Sequence, residues 1–564
     1  MVDFEKVWQA NYPEHLKRHL DYPNVAVHEL LERSAAKYPT NTFTIFMGGK
    51  LSFSQVLDKV YRFATALADL GVKKGDRVAI MLPNCPQAVI AYYGVLKAGG
   101  VAVEFNPLYV EREIEFQLKD SGCKVMVALE LLLGRISNVR EAAGLEKVIW
   151  TGVQDFLPFP LKQLYPTKAK KEGTWVQTPT SPGNYRFTDL LAQYPPNPPK
   201  YSFNPDEDIA CLQYTGGTTG VSKGCMLTHR NMVVNAWQVA NWMPGLKEGR
   251  ERVLTALPLF HSYGMTTCMN FAAAMAATMI LIPRFVVEDV LKAIDKYKPT
   301  LFPGAPTMYI AVNSYPEVKK YNLKSIGACI SGSAALPVEV QKRFEEITGG
   351  RLVEGYGLSE ASPVTHCNPV YGLRKSGCIG LPFPDTVSKI MDIETGDKEL
   401  PVGEVGELVV KGPQVMKGYW NRPEETAQVL RDGWLYTGDI AKMDEDGYTY
   451  IVDRKKEIII AGGYNIYPRE IEEVLFEHPK VLEAAAIGVP DEYRGETVKV
   501  FVVPKPGEQL TAEEIIEYCR TKLAKYKVPK FVEFRSELPK TIVGKVLRRV
   551  LADEERKKRA EAGS

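Results

Sequence analysis

The sequence predicts an α/β protein with a large N-terminal domain, made of parallel α/β subdomains plus a β subdomain, and a small α+β domain at the C-terminus. Three observations lead to this prediction. Apolar runs typical of buried strands alternate with helical patterns from about residue 25 to 150, and again after residue 223. Near residue 376 the pattern changes to short strands separated by turns. The 564 residues are enough for more than one domain.

Helices and strands of ordinary length make up the first part of the chain. The spacing of apolar residues predicts amphipathic helices over 27–37 and 54–70. Apolar runs predict strands at 77–82, 101–105, 124–128 and 147–150. Strands separated by helices of this length favour a parallel sheet.

Residues 153–208 interrupt this alternation. Apolar side chains such as Phe156 and Phe159 precede a group of lysines, and a proline-rich run at 195–199 ends the segment. Two interpretations stay open. The segment is a surface insertion, or residues 156–171 touch an anionic membrane surface, since apolar rings beside lysines suit that interface.

The alternation then resumes and later gives way to a second domain. Strands are predicted at 253–257, 278–282, 301–304 and 328–332, and then, in the β subdomain, at 388–392, 407–410 and 449–452. A dense charge run at 453–457 precedes the apolar residues 458–460 and marks a boundary. We therefore expect domains at 1–453 and 454–564, the second having the size of an ordinary small domain.

Composition narrows the class of protein. The 70 basic and 68 acidic residues give a net charge of +2, which indicates no nucleic-acid partner. The nine cysteines show no C-x-x-C pair and several lie in apolar runs, as expected for reduced core residues of a cytoplasmic protein. The first residues lack the apolar region of a signal peptide, and the apolar run 271–283 is shorter than the roughly 20 residues that span a bilayer.

The glycine-rich stretch 214–224 is the strongest candidate for ligand binding. It follows a predicted buried strand and contains four glycines, three threonines, a serine and Lys223. Backbone N–H groups in such a turn form a concave surface for phosphate oxygens. The spacing matches neither a Walker loop nor a dinucleotide fingerprint. A phosphate-binding loop and an ordinary glycine-rich surface turn both stay open on this stretch alone.

Five further segments contain groups suited to a nucleotide site. Each taken alone could be ordinary packing or a surface loop. They are 257–264 with His261, 331–335 with Gly332, 354–360 with Tyr356 and Glu360, 434–439 with Asp439, and 539–545 with Lys545.

In this order the segments resemble the adenylate-forming superfamily of acyl-CoA synthetases, acyl-AMP ligases, luciferases and peptide-synthetase adenylation domains. The resemblance covers about residues 25 to 550. Within the superfamily the chain looks most like the prokaryotic long-chain fatty-acid–CoA ligases, through Phe-His-Ser-Tyr-Gly at 260–264, Glu-Gly-Tyr-Gly-Leu-Ser-Glu at 354–360 and the insertion before the glycine-rich stretch.

The resemblance implies a role for each matching residue in binding ATP and Mg²⁺. The phosphates would be held by Thr215, Gly216, Gly217, Thr218, Thr219, Gly220 and Lys223. The Mg²⁺ ligands would be Glu360 and Thr215, since hard oxygen donors suit this ion. The base pocket would contain Gly332, Glu354, Gly355, Tyr356 and Ser359, where many relatives have threonine at the last position. The ribose hydroxyls would be bound by Asp439, with Arg454 beside it.

The resemblance also implies a moving C-terminal domain and two half-reactions. Lys456 would be the hinge, and Lys545 would neutralise charge as the acyl carboxylate attacks the α-phosphate. His261 would lie where the acyl and pantetheine channels meet, and Gly463, beside Gly462, would let the pantetheine arm of CoA pass. The reaction implied is activation of a fatty acid to acyl-AMP and then acyl-CoA.

Several alternatives remain open from the sequence. An aromatic acid is the second substrate class, and a nucleotide- or acyl-binding regulator is the non-enzyme alternative. An amino acid is disfavoured because the segment around His261 lacks an aspartate for an ammonium group. The small apolar residues at 270–277 form either a tightly packed helix or the wall of an alkyl tunnel. A homodimer is also compatible with the sequence.

Overall fold

The computed structural model describes residues 4–173, 175–176, 181–215, 222–461, 464–491, 493–541 and 544–562. Four sheets and their helices form a large N-terminal domain, and a fifth sheet with three helices forms a smaller C-terminal domain. The predicted fold class is confirmed.

An eight-stranded sheet forms the centre of the large domain. Six neighbouring strands run parallel to one another, and the two strands at one edge are added through antiparallel pairings. In spatial order they are Gly418–Tyr419, Lys223–Thr228, Ile209–Thr215, Val101–Glu104, Arg77–Met81, Val125–Leu129, Lys147–Thr151 and Asn184–Arg186. The last strand lies inside the region predicted to interrupt the alternation, so part of 153–208 extends the sheet rather than lying on its surface.

Two four-stranded sheets combine parallel and antiparallel pairings. One has the order Arg252–Thr255, Thr278–Leu281, Thr42–Phe46 and Gly49–Ser52, and the other Ala328–Ser331, Arg351–Gly357, Val364–Cys367 and Leu381–Pro382. Single bridges from Leu301 to Val253 and Ala328 connect the two. The predicted strand at 301–304 is reduced to isolated bridges, because Pro303 has no N–H group for a sheet ladder.

The predicted β subdomain is an antiparallel sheet of five strands. Its strands are Val387–Met391, Gly406–Lys411, Trp434–Met443 and Leu430–Arg431, with Thr449–Arg454 paired to Trp434–Met443. This pairing places Asp439 directly opposite Arg454. The sheet therefore fixes two of the predicted site residues side by side.

Helices cover these sheets, and most begin or end at recognisable signals. The helix Phe53–Asp69 starts with a reciprocal cap, in which Gln55 N–H donates to Ser52 Oγ at 3.2 Å and Ser52 N–H donates to Gln55 Oε1 at 2.9 Å. The helices are Phe4–Ala10, Val27–Lys37, Phe53–Asp69, Pro86–Lys97, Glu111–Ser121, Leu133–Arg140, Leu161–Lys171, Phe187–Gln193, His229–Trp242, Ser262–Gly264, Phe271–Ala274, Val287–Tyr297, Pro306–Asn313, Val338–Thr348 and Pro423–Val429. Short 3₁₀ helices span Glu130–Leu132, Val153–Phe156, Val318–Lys320 and Ser359–Ala361, and Met265–Asn270 is a π-helix.

The C-terminal domain has its own sheet and its own core. The strands are Tyr464–Ile466, Ile459–Ala461, Gly495–Pro504 and Val481–Asp491, with Phe531–Phe534 paired to Gly495–Pro504, and the helices are Pro468–Phe476, Ala512–Lys522 and Arg548–Ala562. Within the described residues, the buried core of the large domain ends at Tyr448 and that of the small domain begins at Ile459. The turn 455–457 lies between the two cores.

Two further predictions concern the cysteines, expected to be reduced and buried, and the apolar segments, expected to be too short to cross a bilayer. All nine cysteines are among the described residues, and each is buried and outside any disulfide. In the part of the chain that the structure describes, no helix combines the length and apolar character needed to cross a bilayer.

Candidate active site

The glycine-rich stretch connects two paired antiparallel strands. Thr215 ends one strand and Lys223 begins the next, and the two residues are partners in the pairing. Ser222 Oγ donates to the Thr215 carbonyl at 2.7 Å, which closes the base of the connection. The predicted phosphate ligands Gly216, Gly217, Thr218, Thr219 and Gly220 lie outside the described residues.

Glu360 lies close to this connection, at the start of a 3₁₀ helix that follows Arg351–Gly357. Tyr419 Oη donates to Glu360 Oε1 at 2.7 Å. The Lys223 ammonium lies 5.1 Å from the centroid of the same tyrosine ring, a cation–π contact. Tyr419 therefore holds the predicted metal-binding carboxylate next to the predicted phosphate-binding lysine. No spacing or charge pattern in the sequence pointed to this tyrosine.

Tyr356, Asp439 and Arg454 form a second group. Tyr356 Oη donates to Asp439 Oδ2 at 2.5 Å, and Arg454 Nε lies 3.2 Å from Asp439 Oδ1. Burial raises the pKa of the Tyr356 hydroxyl well above its usual value, so this group stays a donor. Both oxygens of Asp439 are engaged, and a ribose bound there would share or replace the contact with Tyr356.

The His261 segment lies beside these residues. Tyr263 N–H donates to His261 Nδ1 at 3.2 Å, so the proton of the neutral imidazole resides on Nε2. Burial lowers the pKa of His261 to about 4, which keeps it neutral near pH 7. Ser262 Oγ and Ser359 Oγ are 3.2 Å apart, which connects this segment to that of Glu360.

Gly332 and Gly355 are positions where a side chain would not fit easily. A Cβ on Gly332 would lie 3.0 Å from the ring of Tyr263, and a Cβ on Gly355 would lie 2.8 Å from Ile330 Cγ2. The Tyr263 ring is fixed by a hydrogen bond from its hydroxyl to the Ile330 carbonyl at 2.8 Å. Small residues therefore let these strands and the His261 segment approach each other.

Lys545 reaches the same crevice from the small domain. Its ammonium is close enough to Arg454 and Asp439 for both to act on its pKa. Burial first, and then the charge of Arg454, lower that pKa to about 8. The adjacent Gly544 lies against the large domain, because a Cβ there would fall 2.2 Å from Thr307 Oγ1. The segment of Lys545 thus packs against the large domain, within electrostatic reach of Arg454 and Asp439.

Two other predicted residues, Glu354 and Lys456, lie apart from this group. Glu354 is buried and pairs with Arg469 of the small domain, at 3.7 Å from Oε1 to Nη2, rather than with the group around Asp439. Burial raises the pKa of Glu354 to about 7. Lys456 is exposed in the turn between the two domains, and Gly463 lies outside the described residues.

A magnesium ion requires little from the protein in a nucleotide site. It is commonly held by one or two carboxylates together with phosphate oxygens and water. Among the described residues no three or more His, Cys, Asp or Glu side chains converge as a metal cluster. The carboxylate of Glu360 and the hydroxyl of Thr215 fit such a nucleotide site, in which phosphate oxygens and water supply the other ligands.

Similarity to known proteins agrees with this arrangement. The Bacillus subtilis (strain 168) long-chain-fatty-acid–CoA ligase is 52% identical over 98% of this chain and 98% of that protein. The feruloyl-CoA synthase of Amycolatopsis sp is 36% identical, over 92% of this chain and 96% of that protein.

Solved structures of Rhodopseudomonas palustris MatB have the same fold. The ATP-bound form gives a TM-score of 0.82 at 30% identity, covering 94% of this chain and 99% of that one. The apo form gives 0.73 at the same identity and coverage.

Family descriptions match both domains. Residues 31–420 match the AMP-binding enzyme description and residues 470–545 match the AMP-binding enzyme C-terminal domain. The first match alone covers more than half of the chain, and the predicted superfamily is confirmed. The chain belongs to the AMP-binding enzyme family.

Proposed function

We propose that the protein is a fatty-acid–CoA ligase. It joins a medium- or long-chain fatty acid to ATP, giving acyl-AMP and pyrophosphate, and then transfers the acyl group to the CoA thiol, releasing AMP. The observation that carries the proposal is the position of the Lys545 segment of the small domain, whose Gly544 packs directly against Thr307 of the large domain.

In the first half-reaction a carboxylate oxygen attacks the α-phosphorus of ATP and pyrophosphate leaves. Negative charge builds on the phosphate, so the protein contributes mainly positioning and opposing charge. Asp439 orients the ribose, Tyr356 lies along the base, and Lys545 places its ammonium at the reacting phosphate. When bound, Mg²⁺ supplies positive charge at the phosphates, and Glu360 and Thr215 would hold it.

In the second half-reaction the CoA thiol attacks the acyl carbonyl and AMP is the leaving group. No nucleophile from the protein is needed. His261 is neutral and its proton is on Nε2, so it can orient groups at the junction of the two channels without adding charge. Rotation of the residues after 453 about Lys456 exchanges Lys545 for the segment around Gly463.

The fatty-acid assignment is supported by the identity to a long-chain ligase, which exceeds that to the feruloyl enzyme. Ala272, Ala273 and Ala277 have no surface that water can reach, so in this arrangement the segment 270–277 is tightly packed. The neighbouring π-helix Met265–Asn270 is a geometry that often occurs at functional sites.

A series of acids tests the substrate class. We expect kcat/KM to rise about fourfold per added methylene until the site is filled, since burying one CH₂ contributes about 0.8 kcal/mol. Acid-dependent ATP–pyrophosphate exchange and CoA thioester formation are the measurements, with benzoate and ferulate as comparison acids. Higher kcat/KM for the aromatic acids would favour an aromatic-acid ligase. Binding of ATP and acid without any pyrophosphate exchange would favour a regulator.

A peripheral membrane contact through residues 156–171 is part of the proposal. Phe159 is 82% exposed and Leu164 is 58% exposed, on a segment that also carries Lys162, Lys170 and Lys171. Exposed apolar side chains next to cations suit an anionic lipid surface. A homodimer and a cytoplasmic location also remain proposals, and analytical ultracentrifugation tests the first.

Flotation with anionic liposomes tests this contact. The double variant Phe159→Ser, Leu164→Ser is expected to lower the bound fraction about tenfold, since it removes two large apolar groups from the interface. Leu373→Ser is the matched control, because Leu373 is also an exposed apolar residue but lies elsewhere on the large domain. Equal flotation of wild type and double variant would contradict the contact.

A further inference from the structure

Glu354 is a buried acid whose partner belongs to the other domain. It is 5% exposed, and among the described residues its Oε2 has no hydrogen-bond partner. Its Oε1 lies 3.7 Å from Arg469 Nη2. A buried carboxylate is costly unless an opposite charge is close. The guanidinium of Arg469 is therefore what makes an ionised Glu354 tolerable at this position.

Arg469 is held from both domains, since Glu473 belongs to the small domain and Asp453 belongs to the large-domain strand Thr449–Arg454. It lies in the first turn of Pro468–Phe476, and its backbone N–H donates to Asp453 Oδ2 at 2.8 Å. Its Nε donates to Glu473 Oε1 at 2.9 Å. The Nε contact with Glu473 orients the guanidinium so that Nη2 faces Glu354, and a rotation of the small domain would withdraw it.

The same helix is connected to the segment that carries Lys545. Arg548, three residues after Lys545, donates from Nε to Glu472 Oε1 at 2.9 Å and from Nη2 to Glu472 Oε2 at 2.5 Å. It also contacts Glu457 next to the predicted hinge. The Arg548–Glu472 pair thus connects the helix of Arg469 to the segment of Lys545, so we expect the two residues to move together when the small domain rotates.

We infer that Glu354 and Arg469 are positioning residues for the first half-reaction, forming the contact between domains that holds Lys545 at the reacting phosphate. The inference rests on the role proposed above for Lys545. Breaking the pair affects the two half-reactions differently, because only the first uses this arrangement.

Arg469→Gln and Glu354→Gln test the inference. We expect each variant to lower kcat for adenylation about tenfold, a size typical of coupling between sites, with little change in KM for ATP. Acyl-AMP and CoA should react at the wild-type rate or faster. The double variant should be no worse than either single variant, because both remove the same contact. Lys480→Gln is the control, since it breaks the Lys480–Glu514 pair inside the small domain.

Hydrogen exchange of the unliganded protein gives a readout that does not depend on catalysis. The helix Pro306–Asn313 begins under Gly544. Its exchange should become faster in both variants and stay unchanged in Lys480→Gln. Unchanged exchange, an equal loss of both half-reactions, or a higher KM for ATP in Glu354→Gln alone would each overturn the inference. A further outcome separates this inference from the proposed function. If Lys545→Ala leaves adenylation intact while hydrogen exchange still becomes faster in Arg469→Gln and Glu354→Gln, the role proposed for Lys545 is wrong and the contact between the domains stands.

Discussion

Lys545→Ala is expected to lose most adenylation and to keep thioester formation from pre-made acyl-AMP. Loss of one charge directed at a developing negative charge costs about 10²- to 10³-fold in comparable sites. The second half-reaction starts after pyrophosphate has left, so it does not need this ammonium. Acid-dependent ATP–pyrophosphate exchange measures the first step, and consumption of the CoA thiol after adding acyl-AMP measures the second.

Lys540→Ala is the matched control for this change. Lys540 lies in the same segment, but it pairs with Glu483 inside the small domain. We expect it to retain both half-reactions within a few-fold. Equal loss of both half-reactions in Lys545→Ala would contradict the proposed division of roles.

The lowered pKa of Lys545 adds a pH signature to the same variant series. The ammonium is the working form, so it is present below a pKa of about 8 and is lost as the pH rises through that value. The alkaline limb of kcat/KM for adenylation, which reports the free enzyme, should lie near this pH. Lys545→Arg should shift the limb upward, because a guanidinium stays charged over this range.

Glu360→Gln is expected to have the next largest effect, about 10²-fold on adenylation at ordinary Mg²⁺ concentration. The amide keeps the size of the side chain and the contact with Tyr419, but it removes the negative charge from the metal site. The concentration of Mg²⁺ needed for half-maximal pyrophosphate exchange should rise. Thioester formation from acyl-AMP should change little.

Tyr419→Phe separates the charge of Glu360 from its orientation. It removes the 2.7 Å hydrogen bond and keeps the carboxylate. A hydrogen bond to a charged group contributes about 1.5–3 kcal/mol, so we expect a loss of roughly tenfold or more, partly recovered by added Mg²⁺. An unchanged Mg²⁺ requirement in Glu360→Gln would contradict the role given to this carboxylate.

Local patterns in the sequence predicted most of the fold. The helix at 27–37 and the strands from 77 to 151 match the structure within a residue or two, because apolar periodicity directly reflects which faces are buried. The prediction of a strand at 301–304 was wrong, because it followed the apolar residues and did not take account of Pro303, which has no N–H group for a sheet ladder. Asp439 and Arg454 are opposite partners in one sheet, a register that their spacing alone does not define.

The contacts that connect distant segments could not be predicted from the sequence. Nothing near Glu354 indicates that its partner is Arg469, since the two meet only after both domains have folded and docked. The same holds for Tyr419 and Glu360. The predicted roles of residues 216–220, of Lys456 and of Gly463 stay predictions.

The burial of every cysteine matters for an enzyme that makes a mixed anhydride. Acyl-AMP reacts with any sulfhydryl that becomes available, and a surface cysteine near the crevice would acylate itself. Here burial raises the pKa of Cys211 and Cys225, the two cysteines flanking the glycine-rich stretch, well above the usual value. A thiol that is both inaccessible and protonated is a poor nucleophile. The buried cysteines therefore do not compete with the CoA thiol for acyl-AMP.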